Sequence, residues 1–227
     1  MATFALVAAA DFNKEDFMAR HARGQFDCVI AVDGGYTHLE SASVVPQVVV
    51  GDFDSLGYQP DHPCVVRHPE IKDKSDLELA LAYALDYGAD ALYAYGCLAG
   101  RLDHTLAAIQ AMAAYSEKGL KVAAIGCGAV DTKADFENGF ALQMLTGPGQ
   151  VDFVSTEQRP LEGGLSVFAL NDCVKGVTER GLFYPLEDTV LTNRTSLGLS
   201  NQFTGKDAYV HVEKGTLCLV YPNRYLQ

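Results

Sequence analysis

Two acidic clusters lie close together in the first half of the chain, where residues 50–56 read VGDFDSL and residues 70–78 read EIKDKSDLE. A short apolar segment with prolines separates them. Like-charge repulsion and desolvation would protonate some of these acids if they were buried together without cations. We therefore expect either water or a metal ion to compensate them. Five of the carboxylates in these clusters are those of Asp52, Asp54, Asp73, Asp76 and Glu78.

The totals describe a globular, acidic chain. Of its 227 residues, 48% are hydrophobic and 20% are charged, which is ordinary for a folded protein. This length suits one large domain or two modest ones. The formal net charge of −12 disfavours non-specific contact with nucleic acid or an anionic membrane, so we expect neither as a partner. A polyanionic substrate would need a local remedy, such as a divalent metal ion.

The cysteines and the first residues of the sequence indicate where in the cell we expect the protein to be. The six cysteines are scattered and form no C-x-x-C pair, which favours reduced thiols in a cytoplasmic protein. The opening MATFALVAAAD is apolar, but no Lys or Arg precedes its apolar run. It is therefore interpreted as a buried strand and not as a signal peptide. No run reaches the roughly 18 apolar residues that a membrane span needs.

The first half of the chain alternates short apolar runs with amphipathic stretches, which predicts a layered α/β domain with a parallel sheet. Several runs are apolar at consecutive positions, as in parallel strands that are covered on both faces. Ligands usually bind at the carboxyl ends of the strands in such sheets. The predicted strands are 3–9, 28–32, 47–50, 64–67, 91–95 and 121–125, and the predicted helices are 14–23, 36–43, 75–87 and 102–118.

The second half has a different character. Glycine, threonine and proline punctuate short β-like runs, and no comparable helical pattern follows. This predicts an all-β sandwich, with an α/β domain over residues 1–130 and the β-sandwich over residues 131–227. The predicted strands of the sandwich are 140–145, 150–155, 165–170, 190–193, 208–212 and 217–221.

The first acidic cluster contains a D-x-D pair. Asp52 and Asp54 project to the same side of an extended chain, and Gly51 leaves room for close approach. Both carboxylates could therefore reach one hard cation such as Mg²⁺. A polar βα loop that caps a helix explains the same residues about equally well.

The second acidic cluster contains a helix start. Residues 75–78, SDLE, match a capping box, in which the hydroxyl takes an orphan amide and the glutamate reaches back. The cap explains Ser75 and Glu78, and it partly explains Asp76, because the helix dipole favours an acid in the first turn. It does not explain Asp73 or Lys72. A lysine at this position would suit a phosphate.

Two glycine-containing turns each follow a predicted strand and open a predicted helix. Asp33-Gly34-Gly35 would let backbone amides approach an anion or a nucleotide, or would simply form a tight βα turn. Residues 96–104, GCLAGRLDH, place glycines and Arg101 where a phosphate could bind, with Asp103 available to a metal. His104 on its own is interpreted as a capping or surface histidine. The sequence has no G-x-x-x-x-G-K-[ST] loop, which excludes a Walker-type site.

Four of these motifs come in an order, at the ends of successive predicted strands, that closely resembles the thiamine pyrophosphokinase family. They are DGG at 33–35, GDFDS at 51–55, KDKSDLE at 72–78 and GRLDH at 100–104. The second half is similar to the same family in GLFYPL at 181–186 and LGLSNQF at 197–203. The resemblance spans nearly the whole chain.

The resemblance implies an activity and a set of site residues. The α/β domain would bind ATP and Mg²⁺, thiamine would be held between the subunits of a homodimer, and the products would be thiamine diphosphate and AMP. The family's metal positions match Asp52, Asp54 and Asp76, with Asp73 and Asp103 beside them. The implied catalytic residues are Asp54, Asp76, Lys72 and Arg101, and the implied nucleotide contacts are Asp33, Gly34, Gly35, Arg101 and His104. The implied thiamine contacts are Ser200 and Asn201, with Phe203 for stacking because the chain has no Trp.

Two other functions are compatible with some of these residues. The run DFDS at 52–55 superficially matches the D-x-D-x-[TSV] motif of haloacid-dehalogenase-like phosphatases, which use an aspartyl nucleophile. That motif normally ends the first strand, whereas two strand–helix units precede it here. The second alternative is a non-catalytic thiamine or nucleotide sensor. A sensor would gain nothing from keeping so many mutually repelling acids.

Overall fold

The computed structural model describes residues 1–53, 56–58, 60–67, 73–128, 136 and 138–226. The chain divides into two compact units, Met1–Gly126 and Cys127–Gln227. The predicted domain boundary between residues 130 and 131 lies outside the described residues. All six cysteines are described, and all are free thiols. None of the helices in the described part of the chain has the length and apolar character that crossing a membrane would need.

The first unit is a parallel sheet with helices between its strands. Its strands are β1 (Thr3–Val7), β2 (Cys28–Val32), β3 (Val48–Gly51), β4 (Val65–Arg67), β5 (Ala91–Tyr95) and β6 (Lys121–Gly126). Its helices are α1 (Lys14–Ala22), α2 (Gly35–Ser41), α3 (Asp76–Asp86) and α4 (Leu102–Ser116). The strand order is β4-β3-β2-β1-β5-β6, and each neighbouring pair is parallel.

Burial explains why these segments form strands. The strand β2, CVIAV, is buried at four of its five positions, and β3, VVVG, is buried throughout. A strand that is covered on both faces must be apolar at consecutive positions. This is the pattern from which the α/β domain was predicted, and the prediction is confirmed.

The strand order also indicates where a ligand would bind. The chain passes from β1 through β2 and β3 to β4 on one side, and then returns to place β5 on the other side of β1. In open α/β sheets, ligands bind outside the carboxyl ends of the strands near such a reversal. The turns that follow β2 and β3 lie at this edge.

The helix α3 begins where the capping box was predicted. Ser75 Oγ accepts a hydrogen bond from the backbone N–H of Glu78 at 3.2 Å. The second hydrogen bond of the predicted capping box, from the Ser75 backbone N–H to the Glu78 carboxylate, is wrong. The Glu78 carboxylate pairs instead with Lys74 Nζ at 3.3 Å. The serine cap alone makes Asp76 the first residue of the helix.

The second unit is a β-sandwich of antiparallel strands. Its strands are β7 (Phe140–Thr146), β8 (Gly149–Phe153), β9 (Gly164–Ala169), β10 (Val174–Arg180), β11 (Leu186–Leu191), β12 (Asn201–Gln202), β13 (Ala208–Val212) and β14 (Thr216–Pro222). They form two sets, ordered β12-β9-β14-β7 and β11-β10-β13-β8. Phe153 on β8 packs edge-on against Tyr221 on β14, with 5.0 Å between ring centroids, so the two sets share a core. The predicted β-sandwich is confirmed.

Two strands of the sandwich were not predicted. The strand β10 reads VKGVTER, and its Gly176 has φ +66° where the pairing with β11 shifts register. A glycine bulge among charged residues hides the alternation of period two that predicts a strand. The strand β12 has only two residues, Asn201–Gln202, too few to give a pattern.

Candidate functional site

Three acids meet at the carboxyl edge of the parallel sheet. Each of Asp33, Asp52 and Asp76 offers a carboxylate oxygen that lies within 4.8 Å of the other two, and all three residues are half-buried. They come from different elements, because Asp33 follows β2, Asp52 follows β3 and Asp76 begins α3. We call these three residues the acidic triad. It is the one group of at least three potential metal-ligating side chains found among the described residues.

The backbone holds Asp33 beside the loop that carries Asp52. The Asp33 N–H donates to the carbonyl of Val50 at 2.9 Å, and its Oδ1 accepts from the Phe53 N–H at 3.1 Å. Gly51 makes this approach possible, because a Cβ there would lie 3.1 Å from Asp33 Oδ1 and 3.2 Å from its Cα. The φ of Gly51, +154°, is also one that L-residues rarely adopt.

Two residues beside the triad adopt left-handed backbone conformations. Asp33 has φ +50° and Phe53 has φ +67°. Aspartate tolerates this region, but for a bulky residue such as Phe53 it costs about 1–2 kcal/mol. The buried Phe53 ring compensates by anchoring the loop in the core. Strained backbone of this kind clusters at functional sites, which supports a role for the triad.

The other predicted acids have separate surroundings. Asp73 is exposed and lies outside the triad. Asp103 also lies outside the triad, and Arg101 donates to it twice, from Nε to Oδ1 at 3.2 Å and from Nη2 to Oδ2 at 2.6 Å. These hydrogen bonds from Arg101 lower the pKa of Asp103 to about 2. Asp54 and Lys72, both predicted catalytic residues, lie outside the described residues.

Packing explains one glycine in each of the two glycine-containing turns. A Cβ on Gly35 would lie 2.0 Å from the carbonyl oxygen of Val7, and one on Gly96 would lie 2.2 Å from that of Ala8. Both turns therefore press against the end of β1, where only a glycine fits. Gly34 is the N-cap of α2, and its carbonyl accepts from Thr37 Oγ1 at 2.8 Å. His104 is exposed in the first turn of α4, as expected for a surface histidine.

In the second unit, the predicted Ser-Asn pair divides into an exposed and a buried residue. Ser200 is exposed and has φ +57°, and its N–H donates to Ser166 Oγ at 3.0 Å. Its hydroxyl has no hydrogen-bonding partner in the described part of the chain. Asn201 is only 2% exposed. The hydroxyl of Ser200 is therefore available to a ligand, whereas the side chain of Asn201 faces the protein.

Asn201 uses its whole amide within the sandwich. Its Nδ2 donates to Glu179 Oε2 at 2.8 Å and to the carbonyl of Tyr184 at 2.7 Å. Its Oδ1 accepts from the backbone N–H groups of Tyr184 and Gln202, both at 2.9 Å. The side chain thus joins the loop after β10 to the strand β12. Any effect of Asn201 on a ligand would act through the backbone that it holds.

Sequence reasoning missed Glu179, which is fully buried on β10. Its Oε1 is the buried side-chain atom without a hydrogen-bond partner among the described residues. Burial raises the pKa of Glu179 to about 7, and the hydrogen bond from Asn201 offsets only part of that shift. The residues paired with it on the neighbouring strands, Val210 and Leu186, are apolar. The sequence offers one indication that Glu179 points inward. It lies two residues after the apolar Val177, and residues two apart in a strand face the same side of the sheet.

The predicted stacking residue is mostly inaccessible. Phe203 is 8% exposed, and its ring lies 5.1 Å from that of Phe153 and 5.4 Å from that of Tyr225. The exposed aromatic residues near Asn201 are Phe183 and Tyr184, at 62% and 61%, whose rings meet edge-on at 4.8 Å. Both lie in the GLFYPL motif, but the sequence could not say which aromatic side chains reach the surface.

The fold and the triad define a class of protein: a parallel α/β unit with a carboxylate cluster at its ligand-binding edge, followed by a β-sandwich. The family model described as the catalytic domain of thiamin pyrophosphokinase matches residues 19–124. The model described as the vitamin B1 binding domain of thiamin pyrophosphokinase matches residues 154–217. Together the two models match well over half of the chain. The chain belongs to the thiamin pyrophosphokinase family.

Individual relatives agree with this assignment. The thiamine pyrophosphokinase of Bacillus subtilis is 28% identical over 197 residues, which cover 84% of this chain and 85% of the relative. The crystal structure of a thiamine pyrophosphokinase from Bacillus subtilis has a TM-score of 0.73 at 25% identity, and the match covers 96% of this chain and 97% of that one. The yeast thiamin pyrophosphokinase structure shares the fold, with a TM-score of 0.71 at 14% identity over 99% of this chain and 88% of that one.

The buried acid generates a prediction about pH. Because the pKa of Glu179 is raised in the folded state from 4.5 to about 7, its contribution to stability is fully present below about pH 4.5 and is lost as the pH rises through about 7. Glu179→Gln removes this loss. The free energy of unfolding of the variant minus that of wild type should therefore increase by roughly 3 kcal/mol as the pH rises from 4.5 to 8. Urea denaturation at a series of pH values measures this difference.

Glu187→Gln is the matched control, because Glu187 is an exposed glutamate on β11 that pairs with Arg180. It should follow the wild-type dependence on pH. A Glu179→Gln curve that runs parallel to the wild-type curve over this range would show that Glu179 does not titrate near neutral pH.

Proposed function

We propose that this chain is a thiamine pyrophosphokinase, which transfers the pyrophosphoryl group of ATP to the hydroxyethyl oxygen of thiamine and releases AMP. The observation that carries the proposal is the acidic triad, which lies in the unit that matches the family's catalytic domain. Phosphoryl transfer depends on positioning and on neutralisation of charge more than on covalent chemistry. An acid cluster at the ligand-binding edge of the sheet suits that requirement.

The triad fits Mg²⁺ in donor type and in spacing. Mg²⁺ prefers oxygen ligands at about 2.1 Å, so ligands on opposite sides of the ion lie about 4 Å apart. The triad oxygens, within 4.8 Å of one another, need only small shifts to meet this geometry. We propose that Asp33, Asp52 and Asp76 hold the ion. Bound there, Mg²⁺ would neutralise charge on the phosphates of ATP as the transferred group moves.

We propose that Arg101 contacts the phosphates. In the described structure its guanidinium is paired with Asp103, but both side chains are exposed. An exposed ion pair of this kind contributes little net stability, so the arginine can exchange the carboxylate for a phosphate at low cost. The guanidinium can bind a phosphate with two parallel hydrogen bonds. Asp103 then orients the arginine more readily than it binds a metal.

The remaining predicted catalytic residues complete the proposal. The thiamine hydroxyl would attack the β-phosphorus in line, the bond from that phosphorus to the α-phosphate oxygen would break, and AMP would leave. Either Asp54 or Asp76 would take the hydroxyl proton. Lys72 and Arg101 would both neutralise phosphate charge. Asp33, Gly34, Gly35 and His104 lie in the motifs proposed to surround the nucleotide.

For the acceptor, the exposed groups of the sandwich are the strongest candidates. The hydroxyl of Ser200 can hydrogen-bond to a ligand, and the exposed rings of Phe183 and Tyr184 can stack on an aromatic cation. These two rings are better placed for stacking than Phe203 is. The cytoplasmic location, the homodimer and the exclusion of nucleic acid and membrane as partners stay predictions.

The alternative functions have less support. A haloacid-dehalogenase-like phosphatase would carry its D-x-D motif at the end of the first strand, whereas Asp52 follows β3. A sensor without catalysis would not need three half-buried carboxylates within 4.8 Å of one another. Neither alternative accounts for the match of both units to a single family.

The first prediction concerns the products. With Mg²⁺, ATP and thiamine, the purified protein should release AMP and thiamine diphosphate in equal amounts, and it should release no AMP when thiamine is omitted. A coupled assay for AMP and for ADP, with a panel of other primary alcohols in place of thiamine, measures this directly. If ADP accumulates in place of AMP, the protein transfers a single phosphoryl group and the proposal is wrong.

A second prediction compares two acids of one helix. Asp76→Asn removes a triad carboxylate at the start of α3, and Asp86→Asn removes an exposed carboxylate at its end, with the same change in net charge. We expect Asp76→Asn to lower kcat by at least about 100-fold and to raise the Mg²⁺ concentration required for half-maximal rate. Asp86→Asn should stay within about twofold of wild type.

Circular dichroism would establish that both variants fold. An equal effect of the two substitutions on the Mg²⁺ requirement would mean that Asp76 contributes only general negative charge. Wild-type activity in Asp76→Asn would remove this residue from the metal site.

A further inference from the structure

Glu179 is a carboxylic acid in a place where stability alone does not explain it. It is fully buried, its neighbours across the sheet are Val210 and Leu186, and its Oε1 has no hydrogen-bond partner among the described residues. Burying an acid whose hydrogen bonds are only partly satisfied is costly. Replacing such a group together with its hydrogen-bonding partner by apolar side chains of similar size is often neutral or stabilising. Packing therefore does not explain why an acid occupies this position.

That reason lies in the orientation of Asn201. The two ends of an asparagine amide have nearly the same shape, and only the hydrogen bonds around them decide which end faces which partner. Glu179 Oε2 accepts a hydrogen bond from Asn201 Nδ2 at 2.8 Å. This requires the NH₂ end of Asn201 to face Glu179, and the carbonyl end to face away from it.

The carbonyl end of Asn201 then meets two backbone donors. Asn201 Oδ1 accepts from the N–H of Tyr184 and from the N–H of Gln202. With the amide reversed, these two N–H groups would face an NH₂ group and lose their acceptor. The hydrogen bond to Glu179 thus adds to that with the Tyr184 carbonyl in favouring the orientation that ties the loop after β10 to the strand β12.

The tied backbone carries the exposed groups that face solvent on this part of the sandwich. Tyr184 and Phe183 form the exposed aromatic pair, and Ser200 directly precedes Asn201 with its N–H held by Ser166. Ser200 also keeps a left-handed backbone, at φ +57°, which needs support from its surroundings. Loosening Asn201 would release both sides of this surface together.

We propose that Glu179 is a positioning residue for the acceptor alcohol: through Asn201 it fixes the relative positions of the Tyr184 loop and Ser200, and so sets the affinity for thiamine. This inference rests on the proposed function, because it concerns the same acceptor. It assigns no contact between Glu179 and the ligand. It makes the buried acid a determinant of acceptor binding and not of ATP binding.

The test compares three variants with wild type. Glu179→Leu removes the acceptor for Asn201 at similar volume, Glu179→Gln keeps a carbonyl oxygen facing Asn201, and Glu187→Gln makes the same charge change on the exposed strand β11. The measurements are the dissociation constant for thiamine by calorimetry, the KM for thiamine and for ATP, kcat, and the melting temperature. Glu179→Met serves in place of the leucine variant if the latter does not fold.

We expect Glu179→Leu to raise both the dissociation constant and the KM for thiamine by about tenfold, the effect of losing one buried hydrogen bond. Its KM for ATP should stay within about twofold of wild type, and at pH 8 its melting temperature should not fall, because removal of the buried carboxylate offsets the hydrogen bond that Asn201 loses. Glu179→Gln should bind thiamine within about threefold of wild type, as should Glu187→Gln. Selective loss of thiamine affinity in a variant that is no less stable distinguishes positioning from a structural role.

Three results would overturn the inference: unchanged thiamine affinity in Glu179→Leu, an equal loss in Glu179→Gln, or a parallel rise in the KM for ATP. Calorimetry separates this inference from the proposed function. If wild type binds thiamine but releases no AMP, the proposed activity is wrong, while the ratio of thiamine dissociation constants still decides the role of Glu179. If wild type does not bind thiamine at all, the inference is wrong as well.

Discussion

Electrostatic repulsion among Asp33, Asp52 and Asp76 is the constraint on which the first unit depends. With oxygens no more than 4.8 Å apart, two carboxylates repel by about 3 kcal/mol or more at an effective dielectric constant of about 20. The fold opposes this repulsion through the backbone: the Phe53 N–H donates to Asp33, and Gly51 allows the two loops to meet. A cation that binds the three oxygens would turn this unfavourable arrangement into a stabilising one.

The second unit also contains an acidic side chain, that of Glu179, whose burial costs free energy. The sandwich buries Glu179 with one oxygen unpartnered among the described residues. The other oxygen accepts from Asn201 and favours one orientation of its amide. In both units, acidic side chains that would be better solvated in water are held by hydrogen bonds, from the Phe53 backbone N–H to Asp33 and from the Asn201 side chain to Glu179. Proteins retain such groups where geometry matters more than stability, as at binding and catalytic sites.

The sequence predicts the α/β unit well, because strands covered on both faces must be apolar at consecutive positions, and this leaves a pattern that a single sequence can display. It predicts the sandwich less completely. The strand β10 is interrupted at Gly176, where the register shifts, so the inward direction of Glu179 could not be derived. An acid two residues after Val177 was the only available signal.

The composition of the triad could not be predicted from local sequence either. The D-x-D pair and the helix cap drew attention to Asp52 and Asp76, but Asp33 joins them through the register of two parallel strands. Val32 pairs with Val50, which brings Asp33 beside Gly51. Strand neighbours that are almost twenty residues apart in sequence are set by tertiary packing, and no local pattern encodes them.

The most direct test of the acidic triad as a metal site is crystallography with Mn²⁺ in place of Mg²⁺, using the anomalous signal of the manganese. We predict an anomalous peak about 2.2 Å from carboxylate oxygens of Asp33, Asp52 and Asp76, and the loss of that peak in crystals of Asp52→Asn. A manganese peak elsewhere in the protein, with none at the triad, would contradict it.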